Sequence, residues 1–192
     1  TGDFSGNDNI GIGTNVMQAS GGITGNDNIG IGNNAMSSNT GIIGNYNLAL
    51  GYGAMRINKA IRGGQNVAIG YYALGGGAQI ADMTGKYNVA IGTEILQNNT
   101  AGEYNIAQGY KALNQNTTGV DNIALGKNAL KVNITGSKNI SIGENTGAWI
   151  KGNGNIHIGN SMLRSPMAGQ LNNVVAIGNG VSTNSSNSTD NV

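Results

Sequence analysis

One twelve-residue pattern recurs along almost the whole chain and limits what it can fold into. Gly119-Val120-Asp121-Asn122-Ile123-Ala124-Leu125-Gly126-Lys127-Asn128-Ala129-Leu130 reads G-x-x-N-[IVL]-small-[IL]-G-x-x-[AV]-[LM]. Close copies run from Gly6 to Met17, Gly25 to Met36, Gly44 to Met55, Gly63 to Leu74, Gly85 to Leu96 and Gly102 to Leu113. Looser copies run from Gly136 to Gly147 and Gly152 to Leu163, and a degenerate one centres on Val175-Ala176-Ile177-Gly178. A fixed period overrides other local signals, so the chain is a repeat array. The second glycine falls at 13, 32, 51, 70, 92, 109, 126, 143, 159 and 178, in steps of 19, 19, 19, 22, 17, 17, 17, 16 and 19. The motif keeps its length while the connector varies, as in a solenoid with variable loops. The expected fold is all-β, a parallel β-roll or β-helix of about ten short coils over residues 1–181, with a polar tail or linker over 182–192.

Each repeat holds two strand candidates. In the first, Asn9-Ile10-Gly11-Ile12, apolar residues alternate with a small one, the period-2 sign of a strand. The glycine that follows lets the chain turn a corner; Gly32, Gly51, Gly70, Gly92, Gly109 and Gly126 hold that slot. The second candidate is x-x-Ala-Leu, as in Tyr71-Tyr72-Ala73-Leu74. Gly and Asn every few residues disfavour helix. Stacking the coils gives three expected ladders. One apolar ladder joins Ile10, Ile29, Leu48, Val67, Val89, Ile106, Ile123, Ile140 and Ile156. A second joins Ile12, Ile31, Leu50, Ile69, Ile91, Leu125, Ile142, Ile158 and Ile177. The third is amide, through Asn9, Asn28, Asn47, Asn66, Asn88, Asn105, Asn122, Asn139 and Asn155, whose stacked side chains can satisfy one another. On this reading the isoleucines form the core. The small residues Gly11, Gly30, Ala49, Ala68, Ala90, Ala107 and Ala124 then let a neighbouring chain approach. A thin fold of this kind gains from oligomerisation.

Composition removes several classes. Gly is 34 of 192 residues but Pro occurs once, which excludes collagen. Apolar residues recur at fixed positions with net charge +1, which argues against disorder and gives no electrostatic footprint for nucleic acid. No apolar run approaches membrane-spanning length, so membrane insertion is not expected. Without cysteine there is neither a disulfide nor a zinc cluster, and no cofactor is expected. The chain opens inside a repeat without Met and lacks a signal-peptide pattern, which suggests a processed product or a fragment.

The Asn-[VI]-Ala-[IL]-Gly coils resemble the head domains of trimeric autotransporter adhesins. The fuller pattern, from Asn116-Thr117-Thr118-Gly119 through Asn122-Ile123-Ala124-Leu125-Gly126 to Ala129-Leu130, more closely resembles the repeat region of bacteriophage tail fibres. The resemblance covers roughly residues 6 to 180. It implies a left-handed parallel β-roll assembled as a homotrimer on a virion tail fibre or a cell surface. Such a fibre meets a host cell-surface glycan or protein and other fibre or virion proteins. No anchor barrel, coiled-coil stalk or chaperone domain is expected within residues 1–192 themselves.

The candidate binding residues are tyrosines. Tyr46, Tyr87 and Tyr104 directly precede the repeat Asn; Tyr52, Tyr71 and Tyr110 directly follow the second Gly; Tyr72 is adjacent. Stacking would line them up outside, and aromatic faces with hydroxyl handles suit sugar rings or protein contacts. The blander role is support of the ladder or of a chain interface. His157, the single histidine, takes the small slot between Ile156 and Ile158. If that slot faced a three-fold axis, three imidazoles would converge on a metal or anion; otherwise it is an exposed histidine. Gln108 stands in an apolar ladder between Ile91 and Leu125, either satisfied by neighbouring coils or water or forming an axial ion layer. Asp8 and Asp27 share one slot a coil apart, a possible carboxylate pair for a depolymerase but more simply an exposed acidic rung or a weak cation site with turn carbonyls. Inserts at Arg56–Arg62 and Gly75–Met83 are recognition loops or tolerated insertions. Sequons at Asn98, Asn116, Asn133 and Asn139 are expected by chance in an Asn-rich chain. The function expected is non-enzymatic: a stiff trimeric shaft with multivalent attachment. A bacterial adhesin head, or a filament without a receptor, are the alternatives.

Overall fold

The computed structural model describes residues 3–77, 81–162 and 171–180. It is a parallel β-solenoid. Ten strands form one sheet in chain order: β1 (Ile10–Ile12), β2 (Ile29–Ile31), β3 (Leu48–Leu50), β4 (Val67–Ile69), β5 (Val89–Thr93), β6 (Ile106–Tyr110), β7 (Ile123–Leu125), β8 (Ile140–Ile142), β9 (Ile156–Asn160) and β10 (Val175–Asn179). Every pairing of these strands is parallel and joins equivalent positions of the repeat, for example Ile123↔Ile140 and Ala124↔Ser141. Among the described residues there is no helix.

The faces are the reverse of the sequence expectation. In β2 to β10 the middle residue, small everywhere but at His157 in β9, is buried, and the residues either side of it are exposed or half-buried. Ala49, Ala68, Ala90, Ala107 and Ala124 are fully buried in the coil, so they do not receive a neighbouring chain. A Cβ on Gly30 would lie 3.0 Å from Val16 and 3.4 Å from Met17, which places that slot against the interior side chains. The reason is width. A coil this thin is filled from the opposite side by Met36, Met55, Leu74, Leu96, Leu113 and Leu130, all fully buried. That column leaves room for only a small side chain across from it; His157 fits where the column holds Gly147, at which an added Cβ would lie 3.1 Å from the imidazole Nδ1.

The second strand candidate is a turn. Among the described residues, two positions after a corner glycine, and again two later, the backbone enters the left-handed region: Asn34 and Met36 at φ 56° and 52°, Asn128 and Leu130 at 57° and 49°. An apolar residue at positive φ is uncommon and carries strain. Stacking holds it in place: the amide of Leu113 donates to the Ala129 carbonyl at 3.0 Å, and that of Met36 to Ala54 at 2.8 Å. The corner glycines themselves have φ between 122° and 147°, which L side chains rarely adopt.

The amide column is continuous. From Asn9 to Asn139 each Oδ1 accepts from the backbone amide and Nδ2 of its counterpart in the next coil, as Asn105 does from Asn122 at 3.1 and 3.0 Å, and the column ends with Asn155 accepting from the Val174 amide. The Nδ2 also reaches a connector carbonyl, here Asn105 to Gly119 at 2.8 Å. Connector length then decides how a coil closes. Long connectors bury extra apolar residues, Ile42, Ile61 and Met83, joined by parallel bridges. Short ones close with a further buried amide: Asn99, Asn116 and Asn133 each donate to a glycine carbonyl three residues on.

Candidate functional site

With the small slot turned inward, the flanking Ile, Leu and Val side chains form an outward strip two columns wide. Ile10, Ile12, Leu50, Ile91, Ile106, Ile142, Ile158 and Ile177 are 37–65% exposed. Val175 extends the first column and Gln108 fills the gap in the second. Nine strand spacings of ~4.8 Å give a strip ~43 Å long and about 10 Å across. Counted flat, that is on the order of 400 Å², which is substantial for an apolar patch on a monomer.

The tyrosines lie at the two ends of the strands and so flank this strip. Tyr87 and Tyr104, before the strand, stack with ring centroids 4.8 Å apart and planes 9° apart. Tyr52 and Tyr71, after it, stack at 5.5 Å and 14°. Tyr72 meets both edge-on, at 5.6 and 4.6 Å, and its hydroxyl accepts from Arg56 at 3.3 Å. Tyr46 lies two coils from Tyr87 with Gln65 between them, so the slot is not an unbroken aromatic column. Tyr110 has the Lys111 ammonium 5.1 Å from its ring centre, and that lysine pairs with Glu94 at 3.1 Å. Tyr46, Tyr52, Tyr71, Tyr87, Tyr104 and Tyr110 are all exposed. A stacked pair spends its inner ring faces on itself, leaving a sugar the two end faces and the hydroxyl edge.

Next to Tyr46 is a shallow recess of about 210 Å³, lined by Asn45, Arg62, Gln65 and Lys86 among others. Its guanidinium is already committed through Nε to Asp82 at 2.6 Å. Arg62 belongs to the first insert. In the second, residues 78–80 lie outside the described part, as does the tail over 182–192.

His157 cannot gather three imidazoles on an axis. Its slot faces the coil interior, where it is fully buried. Neither Nδ1 nor Nε2 has a hydrogen-bond partner, and the Ser141 hydroxyl on the neighbouring strand has none either. Burial pushes the imidazole down to about 4, so at neutral pH it is an uncharged core residue. Gln108 is exposed on the outward strip, not inside a coil. Asp8 and Asp27 are exposed at positive φ in front of their strands. Among the described residues no group of three or more His, Asp or Glu is placed to hold a metal ion. Asn116, Asn133 and Asn139 are fully buried, so those sequons are closed in the folded chain.

Two features escaped the sequence reading: the outward strip as a surface, and the second amide column at Asn99, Asn116 and Asn133. The signal for the first was the small middle residue itself, because only a cramped interior requires one.

Compared with family models, with curated proteins and with solved structures, the chain matches none.

Proposed function

We propose that this chain is a non-enzymatic segment of a surface fibre or adhesin. Copies pack as a homotrimer around their outward strips to make a stiff shaft, and the flanking tyrosines attach it to a host cell-surface glycan. The observation that carries the reading is the unpartnered apolar strip. Water contact along ~43 Å of Ile, Leu and Val is unfavourable, and a repeat face of uniform rungs is complementary above all to another copy of itself. The threefold count, the preference for a phage tail fibre over a bacterial adhesin, and the extracellular or virion setting rest on the sequence resemblance. Attachment would then work by multivalency, since a trimer presents each tyrosine pair three times and weak contacts sum to avidity.

Two measurements test this. Light scattering on the purified chain should give three times the 19.5 kDa chain mass, and Ile123→Asp with Ile91→Asp should reduce it to one. A monomeric parent protein refutes the shaft. A glycan array should show binding that Tyr87→Ala and Tyr104→Ala abolish; undiminished binding in both variants refutes the tyrosine contact.

A further inference from the structure

The outward strip has two positions on each of ten strands, and nineteen of the twenty are Ile, Leu or Val. That uniformity creates a difficulty for any assembly built on it. Sliding one copy along another by a single strand spacing, ~4.8 Å, exchanges one aliphatic contact for another of the same kind and forfeits only the rung at the end. Apolar attraction has no direction and cannot tell the two apart. Within the length of the strip, one position breaks the degeneracy. Gln108 is exposed on the strip and stands in register between Ile91 on β5 and Leu125 on β7.

We propose that Gln108 sets the register in which copies of this chain associate. A primary amide both donates and accepts, so it is complementary to the same amide on a second copy. In register, the Gln108 amides meet one another. Slipped by one spacing, each faces a partner's Ile91 or Leu125 and is buried without a partner. An unmet buried amide biases the equilibrium roughly tenfold or more against that arrangement. A single polar residue in an apolar seam is known to fix register in this way at some expense of stability. The inference rests on the proposed self-association, and its test reads the two separately.

The full chain is prepared as Ile142→Cys and as Ile158→Cys, and the two are mixed, refolded together and oxidised. Disulfides need Cβ atoms about 3.5–4.5 Å apart, so in-register association gives like-with-like crosslinks. The mixed Ile142→Cys with Ile158→Cys product reports a slip of one spacing. With Gln108 present, like-with-like products should dominate. Gln108→Leu should keep the oligomer mass by light scattering and raise the mixed product at least fivefold, whereas Gln108→Asn, which retains an amide, should not. If the mass is unchanged and the mixed product is as rare in Gln108→Leu as in the parent, Gln108 does not set the register, although self-association stands. If the parent is a monomer, both the association and this inference fail.

Discussion

His157 should make the C-terminal coils sensitive to acid. It is fully buried in a slot that holds Ala on six other strands, and both its nitrogens lack partners. Burial alone lowers its pKa from 6.5 to about 4, with no charged neighbour contributing. The folded value is below the unfolded one, so the unfolded chain binds the proton more tightly. The contribution of this group is therefore fully present above pH 6.5, declines as pH falls through the window to about 4, and is gone below it. At 1.36 kcal/mol per pH unit of difference, the total is about 3 kcal/mol. The perturbation is His157→Ala, which installs the residue used elsewhere in the column. At pH 7 it leaves a cavity worth about 1–3 kcal/mol, offset by removing two unmet polar atoms. The decisive quantity is the change between pH 7 and pH 4, because the carboxylates that also titrate there are common to both proteins. Hydrogen exchange at the amides of β9, or urea midpoints at the two pH values, should show the parent losing about 3 kcal/mol more than the variant. Equal losses would refute the argument that burial holds this imidazole neutral.

Three further outcomes follow from the packing. Asn105→Ala removes the bonds to Gly119 and Asn88 and leaves the Asn122 amide without its acceptor; urea denaturation should show a loss of about 2–4 kcal/mol. Gly109→Ala should be worse than Gly180→Ala, because at Gly109 (φ 124°) the new Cβ would lie 2.8 Å from the Gly126 backbone, while at Gly180 (φ 68°) nothing lies within 4 Å. Thermal melting should rank them clearly, with about 1 kcal/mol lost at Gly180 and several at Gly109. Lys127→Ala breaks an exposed pair with Glu144 at 3.0 Å and should shift stability by less than about 1 kcal/mol, with the remaining effect vanishing in high salt.

The period was legible because identical residues return at fixed steps, and the ladder of Asn88, Asn105 and Asn122 could be read from that recurrence. Which side of the sheet faces inward could not be. Alternation says that Ile123 and Leu125 share a face and Ala124 takes the other; it is symmetric with respect to inside and outside. The deciding quantity was the coil's width, set by the Leu113 and Leu130 column across from Ala107 and Ala124. Reading the alternation the usual way, with isoleucine as core, also misplaced His157. The turn at Ala129-Leu130 read as a strand because nothing in a leucine announces a φ of 49°. The tyrosine pairs were partly legible: Tyr87 and Tyr104 share a slot in adjacent coils and do stack, while the edge-on packing of Tyr72 depends on side-chain directions that spacing does not contain.

The ladder bonds of this sheet point along the stacking direction, since each strand lies across it and pairs only with its neighbours before and after. Tension applied from end to end therefore loads those bonds in series, and the rupture force belongs to the poorest link, not to the sum. Compression instead presses each coil onto the next and puts none of those bonds under tension. A molecule so arranged is a strut more than a cable, and the junction of Ser141 with His157, where three buried polar atoms go unmet, is its least satisfied link among the described residues.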